Sequence, residues 1–394
     1  MGLNLKILLL SFYYQPDLCA GSFRNTALVQ ALLKQVPVGS TIDVITTLPN
    51  RYASFSVEVP EKEEFDNLVI QRIALPSHQS GMLDQSKAFI SYARQAIKHT
   101  RGKQYDLVFA SSSRLMTAAL GAYIAHGQKA PLYLDIRDIF VDTIKDVLSA
   151  KIAKVMKPIF SQVERWAINR ADKVNLVSEG FREYFEQRYP NKSLVFFTNG
   201  IDDEFMLAQP KEKLVVTKDV LTVVYAGNFG EGQGLHTIIP QLAKHFEGRL
   251  QFKLYGDGGR KGQLESALNE QSINNVQLCA PVGRKELINI YQEADVLFLH
   301  LNNYDAFLKV LPSKIFEYGT LGKPIWAGVA GYSAQFLEKH VSNSAVFEPC
   351  DLNSAISAFE QLDLVTAPRC DFVAQFSRSS IMQDMAADIV AQVK

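Results

Sequence analysis

"LPSKIFEYGTLGKP", residues 311–324, lies between two near-continuous apolar runs, "ADVLFLHL" (294–301) and "KPIWAGV" (323–329). Short apolar runs bounded by turn residues read as strands buried on both faces, and a helix between two of them is the crossover of a parallel sheet. Within 313–320, Ser313 and Glu317 fall four apart on one helix face with Lys314 adjacent. Pro312 suits a first turn, where the N–H groups have no helical partner. A capped surface helix with a solvated Lys–Glu pair would also explain these charges. The buried flanks argue otherwise: the helix is wedged between strands, and its polar face lines a cleft.

Outward from this element the same alternation continues. After it comes "SAVFEP" (344–349); before it come "VLTVVYAGN" (220–228), "LQFKLYGDG" (250–258) and "NVQLCAP" (275–281). The first half repeats the texture at 5–12, 41–47, 68–75, 105–111, 131–138, 173–178 and 193–199, with helix-period segments at 22–35, 84–99 and 113–126. The stretch 206–220, polar and with Pro210 inside it, reads as a strand-poor linker. The expected fold class is therefore α/β, with two doubly wound Rossmann-like domains, 1–205 and 206–375, facing across a cleft. A helix over 376–394 is expected to pack back on the first domain. Ligands belong at the carboxyl ends of the strands.

Bulk properties exclude several classes. With 41 basic and 41 acidic residues the net charge is zero, so no global field draws nucleic acid or acidic lipid. The four cysteines have neither metal-ligand nor redox spacing, which favours a reducing compartment. No run approaches the roughly 18–20 apolar residues of a membrane-spanning helix. The expectation is a cytoplasmic protein, at most peripheral on the inner face of the plasma membrane.

Two glycine-rich turns follow predicted strands. "YAGNFGEGQG" (225–234) opens a helix at Leu235, and "YGDGGRKGQLE" (255–265) repeats the arrangement one strand later. Glycine lets backbone N–H groups approach an anion, although tight turning alone also explains each motif. Two of them on neighbouring strand ends favour a phosphate-bearing ligand. Neither is a Walker loop or a G-x-G-x-x-G fingerprint.

Taken in register, these segments resemble the retaining GT-B glycosyltransferases of family 4, in particular bacterial polysaccharide enzymes of the L-fucosaminyltransferase kind. The residues that carry the resemblance are "PSKIFEYGTLGKPI", "SFYYQPDLCAGSFRNTALVQAL" (11–32), "LYLDIRDIF" (132–140), "FFTNGIDDEF" (196–205), the two glycine-rich turns and "YQEADVLFLHL" (291–301). The resemblance implies a first domain that binds the acceptor and a second that binds a nucleotide-sugar donor, UDP-linked. Glu317 would accept from the ribose hydroxyls, while Ser313, Lys314 and the helix start hold the diphosphate. Gly227, Asn228 and Gln233, with Gly256, Asp257 and Gly258, would border the donor. Gly21, Ser22 and Arg24 would form a loop beside phosphate and acceptor. Asp138, with Asp135 beside it, would orient sugar or hydroxyl; a helix cap or an ion pair with Arg137 is the plainer reading of either Asp. Asp138, Lys314 and Glu317 are thus the expected catalytic residues.

Three positions depart from the family pattern. Lys309 stands where many members have Glu; Asn228 and Gln233 stand where many have Arg and Lys; and a first-domain His is replaced by Asp. Neither a metal nor a cofactor is expected, because there is no Asp-x-Asp pair and the seven histidines form no ligand set. The expected activity is transfer to a saccharide or lipid-linked saccharide in bacterial surface polysaccharide synthesis. Two alternatives are an inactive partner subunit and, behind it, a nucleotide-sugar 2-epimerase.

Residues 143–171 have helical apolar spacing at Leu148, Ile152, Val155, Met156, Ile159, Phe160, Val163 and Trp166, with Lys145, Lys151, Lys154 and Lys157 interleaved and a kink expected at Pro158. Most of this stripe is expected to be core. The lysines suit a peripheral contact with an anionic membrane.

Overall fold

The computed structural model describes residues 4–50, 57–76, 82–112, 114–147 and 150–393. The chain divides into two compact units, Met1–Asn199 with Arg378–Lys394, and Gly200–Ser377.

Among the described residues the first unit holds eight strands: β1 (Lys6–Ser11), β2 (Thr41–Thr47), β3 (Lys62–Phe65), β4 (Leu68–Ile73), β5 (Leu107–Ser112), β6 (Leu132–Ile136), β7 (Lys173–Leu176) and β8 (Leu194–Val195). Their order is β3-β4-β2-β1-β5-β6-β7-β8, parallel except for β3, which runs antiparallel to β4. The chain winds outward from β1 through β2 to β4 and then returns to β5 on the other side, so the winding reverses between β1 and β5. Ile7 to Leu10 and Leu107 to Ala110 are fully buried, as expected of central strands covered on both faces. The helix Arg378–Ala391 packs on the helix Ala20–Gln35. It sets Met382, Met385 and Ile389 against Leu28, Val29 and Leu32, in the same core cluster as Ile7 and Leu9.

In the second unit, β9 (Leu214–Val215) is followed by β10 (Leu221–Asn228), β11 (Leu250–Asp257), β12 (Val276–Cys279), β13 (Val296–His300), β14 (Ile325–Gly328), β15 (Ser344–Phe347) and β16 (Val365–Thr366). A parallel sheet runs β12-β11-β10-β13-β14-β15. One face is built around Trp326, which packs edge-on or tilted against Phe246, Phe298, Phe347 and Phe359 and donates its indole N–H to the Ala355 carbonyl at 3.0 Å. A buried indole finding an acceptor avoids the loss that an unpaired N–H would bring. The winding reverses between β10 and β13.

Two expectations need correction. The 206–220 stretch is not a bare linker: β9 pairs antiparallel with β16, Val215 opposite Val365. Two-residue strands leave no periodicity to read. The 143–171 segment is two helices, Phe140–Val147 and Ala150–Arg170, and the second runs on through Pro158. Its apolar stripe is not mostly core. Ile152, Val155, Ile159 and Trp166 are 48%, 65%, 53% and 45% exposed, while Ala153, Ala167 and Ile168 face inward. Leu148 and the side chains of Lys145 and Lys151 lie outside the described residues.

Candidate functional site

In the second unit the residues singled out from sequence converge at the carboxyl ends of β10, β11 and β13, around the point where the winding reverses. Doubly wound sheets bind ligands there because the crossovers diverge and leave a crevice. Gly227 and Asn228 end β10 and lie in register with Gly256 and Asp257 of β11. The approach is too close for side chains: a Cβ on Gly256 would run into the Gly227 carbonyl, and one on Gly258 would meet Asn228 Oδ1 and the Phe229 backbone. Asp257 Oδ1 accepts from the Gly258 N–H at 2.8 Å, which pins the second turn.

The helix Lys314–Thr320 starts directly beside this pair of turns. A Cβ on Gly227 would collide with Lys314 Nζ, and the same ammonium sits 5.6 Å from the centre of the Tyr225 ring. The Tyr225 hydroxyl donates to the Asn228 carbonyl at 2.9 Å. Ser313 precedes the helix in helical backbone geometry, and its hydroxyl makes no capping bond. Glu317 is half-buried on this helix. Lys309 closes the short 3-10 turn Asp305–Lys309, whose Phe307 ring abuts Gly232.

The first glycine-rich turn is held from below by β13 and its exit. Three successive carbonyls are engaged: Asn302 Nδ2 donates to Glu231 O (2.8 Å), the Asn302 N–H to Gly232 O (2.9 Å) and His300 Nδ1 to Gln233 O (2.7 Å). Gln233 also accepts from Asn228 Nδ2 through its side chain at 2.9 Å. Glu231 pairs with Arg260 and accepts from the Tyr304 hydroxyl at 2.6 Å. The Tyr304 bond, ahead of Arg260, lowers the Glu231 pKa. Sequence reasoning passed over Glu231, Arg260, His300, Asn302 and Tyr304, whose partners lie up to 73 residues away.

Arg284, at the start of the helix Arg284–Glu293, ion-pairs with Asp202 and with Glu204 at 2.5 Å. Burial pulls its pKa down, and the charges of Asp202, Glu317 and Glu204 outweigh that, so the guanidinium is held firmly charged. The "NGIDDEF" tail thereby anchors a cation in the electrostatic reach of Glu317.

In the first unit the expected loop is not a loop. Gly21, Ser22 and Arg24 lie in the helix Ala20–Gln35. Arg24 is fully buried, and its guanidinium binds Asp135 twice, at 2.9 and 3.0 Å, and the carbonyls of Phe197 and Thr198. Asn175 and Ser111 complete the bonds to Asp135. This pair ties the first helix to β6 and to the 197–198 segment, and neither charge is open to a ligand. Ser22 is 1% exposed. A Cβ on Gly21 would strike the Arg137 guanidinium, so glycine is what lets Arg137 lie over the helix start. Asp138 follows β6 with its side chain open to solvent, although the protein surrounding it pushes its pKa up to about 6 against the Ile139 N–H and the Arg137 charge.

Both halves of this sequence match glycosyltransferase families. Residues 36–200 match the glycosyl transferase 4-like domain, and residues 209–364 match glycosyl transferases group 1. The chain carries two glycosyltransferase domains. The fold is GT-B: the structure resembles sucrose-phosphate synthase from Thermosynechococcus elongatus (TM-score 0.72, 15% identity, 99% of each chain). It also resembles Anabaena HepE, solved in complex with UDP-glucose (TM-score 0.65, 14% identity, 99% of this chain and 100% of that one). Among curated relatives, WcaI of Escherichia coli strain K12, named as a colanic acid biosynthesis glycosyl transferase, is 22% identical over 254 residues. That match covers 61% of this chain and 62% of WcaI. No helix among the described residues is long and apolar enough to cross a membrane.

Proposed function

We propose that the protein transfers a glycosyl group, with retention, from a UDP-linked sugar to a hydroxyl of a saccharide or lipid-linked saccharide in surface polysaccharide synthesis. In this reaction the bond from the anomeric carbon to the β-phosphate breaks, UDP leaves with the electron pair, and the acceptor hydroxyl forms the new bond and loses its proton. The observation that carries the reading is Lys314 Nζ lying against Gly227 between the two glycine-rich turns. A fixed cation there meets the charge that grows on a departing diphosphate, and such preorganised stabilisation is usually the largest catalytic contribution. Glu317, three residues on, accepts from the ribose diol, while Gly256 to Gly258 border the base. Asp138 orients the sugar or the incoming hydroxyl. The HepE complexes with UDP and UDP-glucose support UDP as the nucleotide, and the name of WcaI supports a polysaccharide product.

The test is thermal stabilisation by UDP, GDP, CDP and UDP-glucose, with and without EDTA. UDP is expected to raise Tm with or without chelator. Wild-type protein stabilised by no nucleotide refutes the reading. Glu317→Gln is expected to weaken UDP while leaving 2′,3′-dideoxy-UDP unchanged.

For the acceptor side, the helix Ala150–Arg170 supports contact with an anionic lipid surface. Its exposed apolar residues Ile152, Val155, Ile159 and Trp166 are accompanied by exposed Lys154, Lys157 and Arg165. Its one acid, Glu164, is turned inward and accepts from the Tyr184 and Tyr189 hydroxyls. A helix outer face with cations and apolar groups but no anion is complementary to acidic headgroups. Flotation with phosphatidylglycerol vesicles, and not with phosphatidylcholine vesicles, is expected and should be lost in Lys154→Glu/Lys157→Glu.

A further inference from the structure

His300 is the last residue of β13 and is fully buried. Its ring is stacked on Phe298, with the planes 4° apart, and a Cβ on the neighbouring Gly328 would strike its edge. Each ring nitrogen has one partner. Nδ1 lies 2.7 Å from the Gln233 carbonyl, which can only accept, and Nε2 lies 3.0 Å from the Cys350 N–H, which can only donate. One protonation state satisfies both: neutral imidazole with the proton on Nδ1. A second proton would face an N–H group in a site without water access. The burial that drives His300 down to about 4 agrees with that geometry.

We infer that His300 is a positioning residue for the donor site: the Cys350 amide locks its tautomer, and its Nδ1–H fixes the Gln233 carbonyl and with it the 230–234 turn. The role rests on the donor-site reading of that turn. The bond does more than fill space: from β13 and its exit, Asn302 reaches the carbonyls of residues 231 and 232, the first of which also accepts from the Gly234 N–H within the turn. His300 supplies the third anchor, at the residue whose side chain also ties back to Asn228. Without it, Gln233 keeps only the 3-10 bond of its N–H to the Gly230 carbonyl and the side-chain bond to Asn228.

Asparagine and glutamine separate the two ring nitrogens. Asn carries an amide N–H where Nδ1 was, and Gln carries its polar end where Nε2 was. Hydrogen exchange at the amides of 233 and 234 then reads the turn directly. Exchange in His300→Asn is expected to stay within about threefold of wild type and in His300→Gln to rise at least about tenfold, because only the second lacks the donor to Gln233. UDP affinity should fall in the same order. Equal exchange in the two variants, whether both protected or both open, overturns the inference, since the ring would then act by shape alone. If wild type does not bind UDP, the donor-site reading fails while the exchange result still decides the role of His300. If neither variant folds, ¹⁵N-histidine spectra of wild type at pH 7 decide: one neutral imidazole in the Nδ1–H tautomer is expected, and its absence overturns the inference.

Discussion

Lys314 Nζ lies where a Cβ on Gly227 would be, with the centre of the Tyr225 ring at 5.6 Å. In the proposed reaction this ammonium meets the charge of the departing diphosphate. Lys314→Met should lower transfer by about 10²–10³-fold and weaken UDP, as loss of one preorganised donor does elsewhere. Lys314→Arg should not restore it, because the flat guanidinium is wider than the slot Gly227 leaves. Steady-state rates with UDP-sugar, together with UDP titration, check both.

Arg24 gives the opposite expectation. Arg24→Ala leaves Asp135 buried without its cation and should cost about 3–5 kcal/mol. Replacing both, as Arg24→Met with Asp135→Leu, should recover most of that loss. UDP affinity should be unchanged in whatever protein remains folded. Denaturant unfolding and a UDP titration separate this from a ligand-binding role; a weakened UDP affinity at unchanged stability would restore Arg24 to the site.

Asp138 predicts a pH profile. Its pKa is pushed up to about 6, so the folded state prefers the protonated form. The stabilisation this brings is present below the usual carboxylate pKa and is lost as pH rises through about 6. In the proposed role Asp138 acts as the carboxylate, so transfer should rise across the same window. Asp138→Asn should give a lower rate without that acid limb.

His300 predicts the reverse sense for stability. Its folded pKa, about 4, lies below the ordinary histidine value, so the unfolded chain takes up the proton first. Stability is full above pH about 6.5 and falls as pH drops towards 4, by about 3 kcal/mol over the window. Melting wild type and His300→Asn from pH 7 to pH 4 checks this: the gap between them should narrow on acidification.

Much of the architecture could be read in the sequence because it is written in local periods. The apolar run 41–47 is β2 to the residue, and 220–228 differs from β10 by one. The alternation of strand and helix predicted two doubly wound α/β domains, and the resemblance of the motifs to a known family predicted the GT-B class of fold. What could not be read has no local period. β3 is "KEEF", an edge strand with no apolar face, and β9 and β16 are two residues each. Arg24 followed Gly-Ser and so looked like a cation in a ligand loop; its partner is 111 residues away. In the helix Ala150–Arg170 the apolar spacing was real, but spacing cannot tell an apolar face turned to the core from one turned to solvent. For the candidate donor site, the glycine turns and the Ser-Lys-x-x-Glu helix were visible. The residues that hold them, His300 and Asn302, were not.

The return of the helix Arg378–Ala391 to the first unit bears on how the protein is made. The first 199 residues contain every described strand of their sheet, yet Met382, Met385, Ala386 and Ile389 share a core with Leu28 and Leu32. Domains ordinarily fold as units in the order of synthesis. Here the second unit is continuous in sequence and complete at residue 377, whereas the first must wait beside the ribosome with an uncovered apolar face until residue 390 has been made.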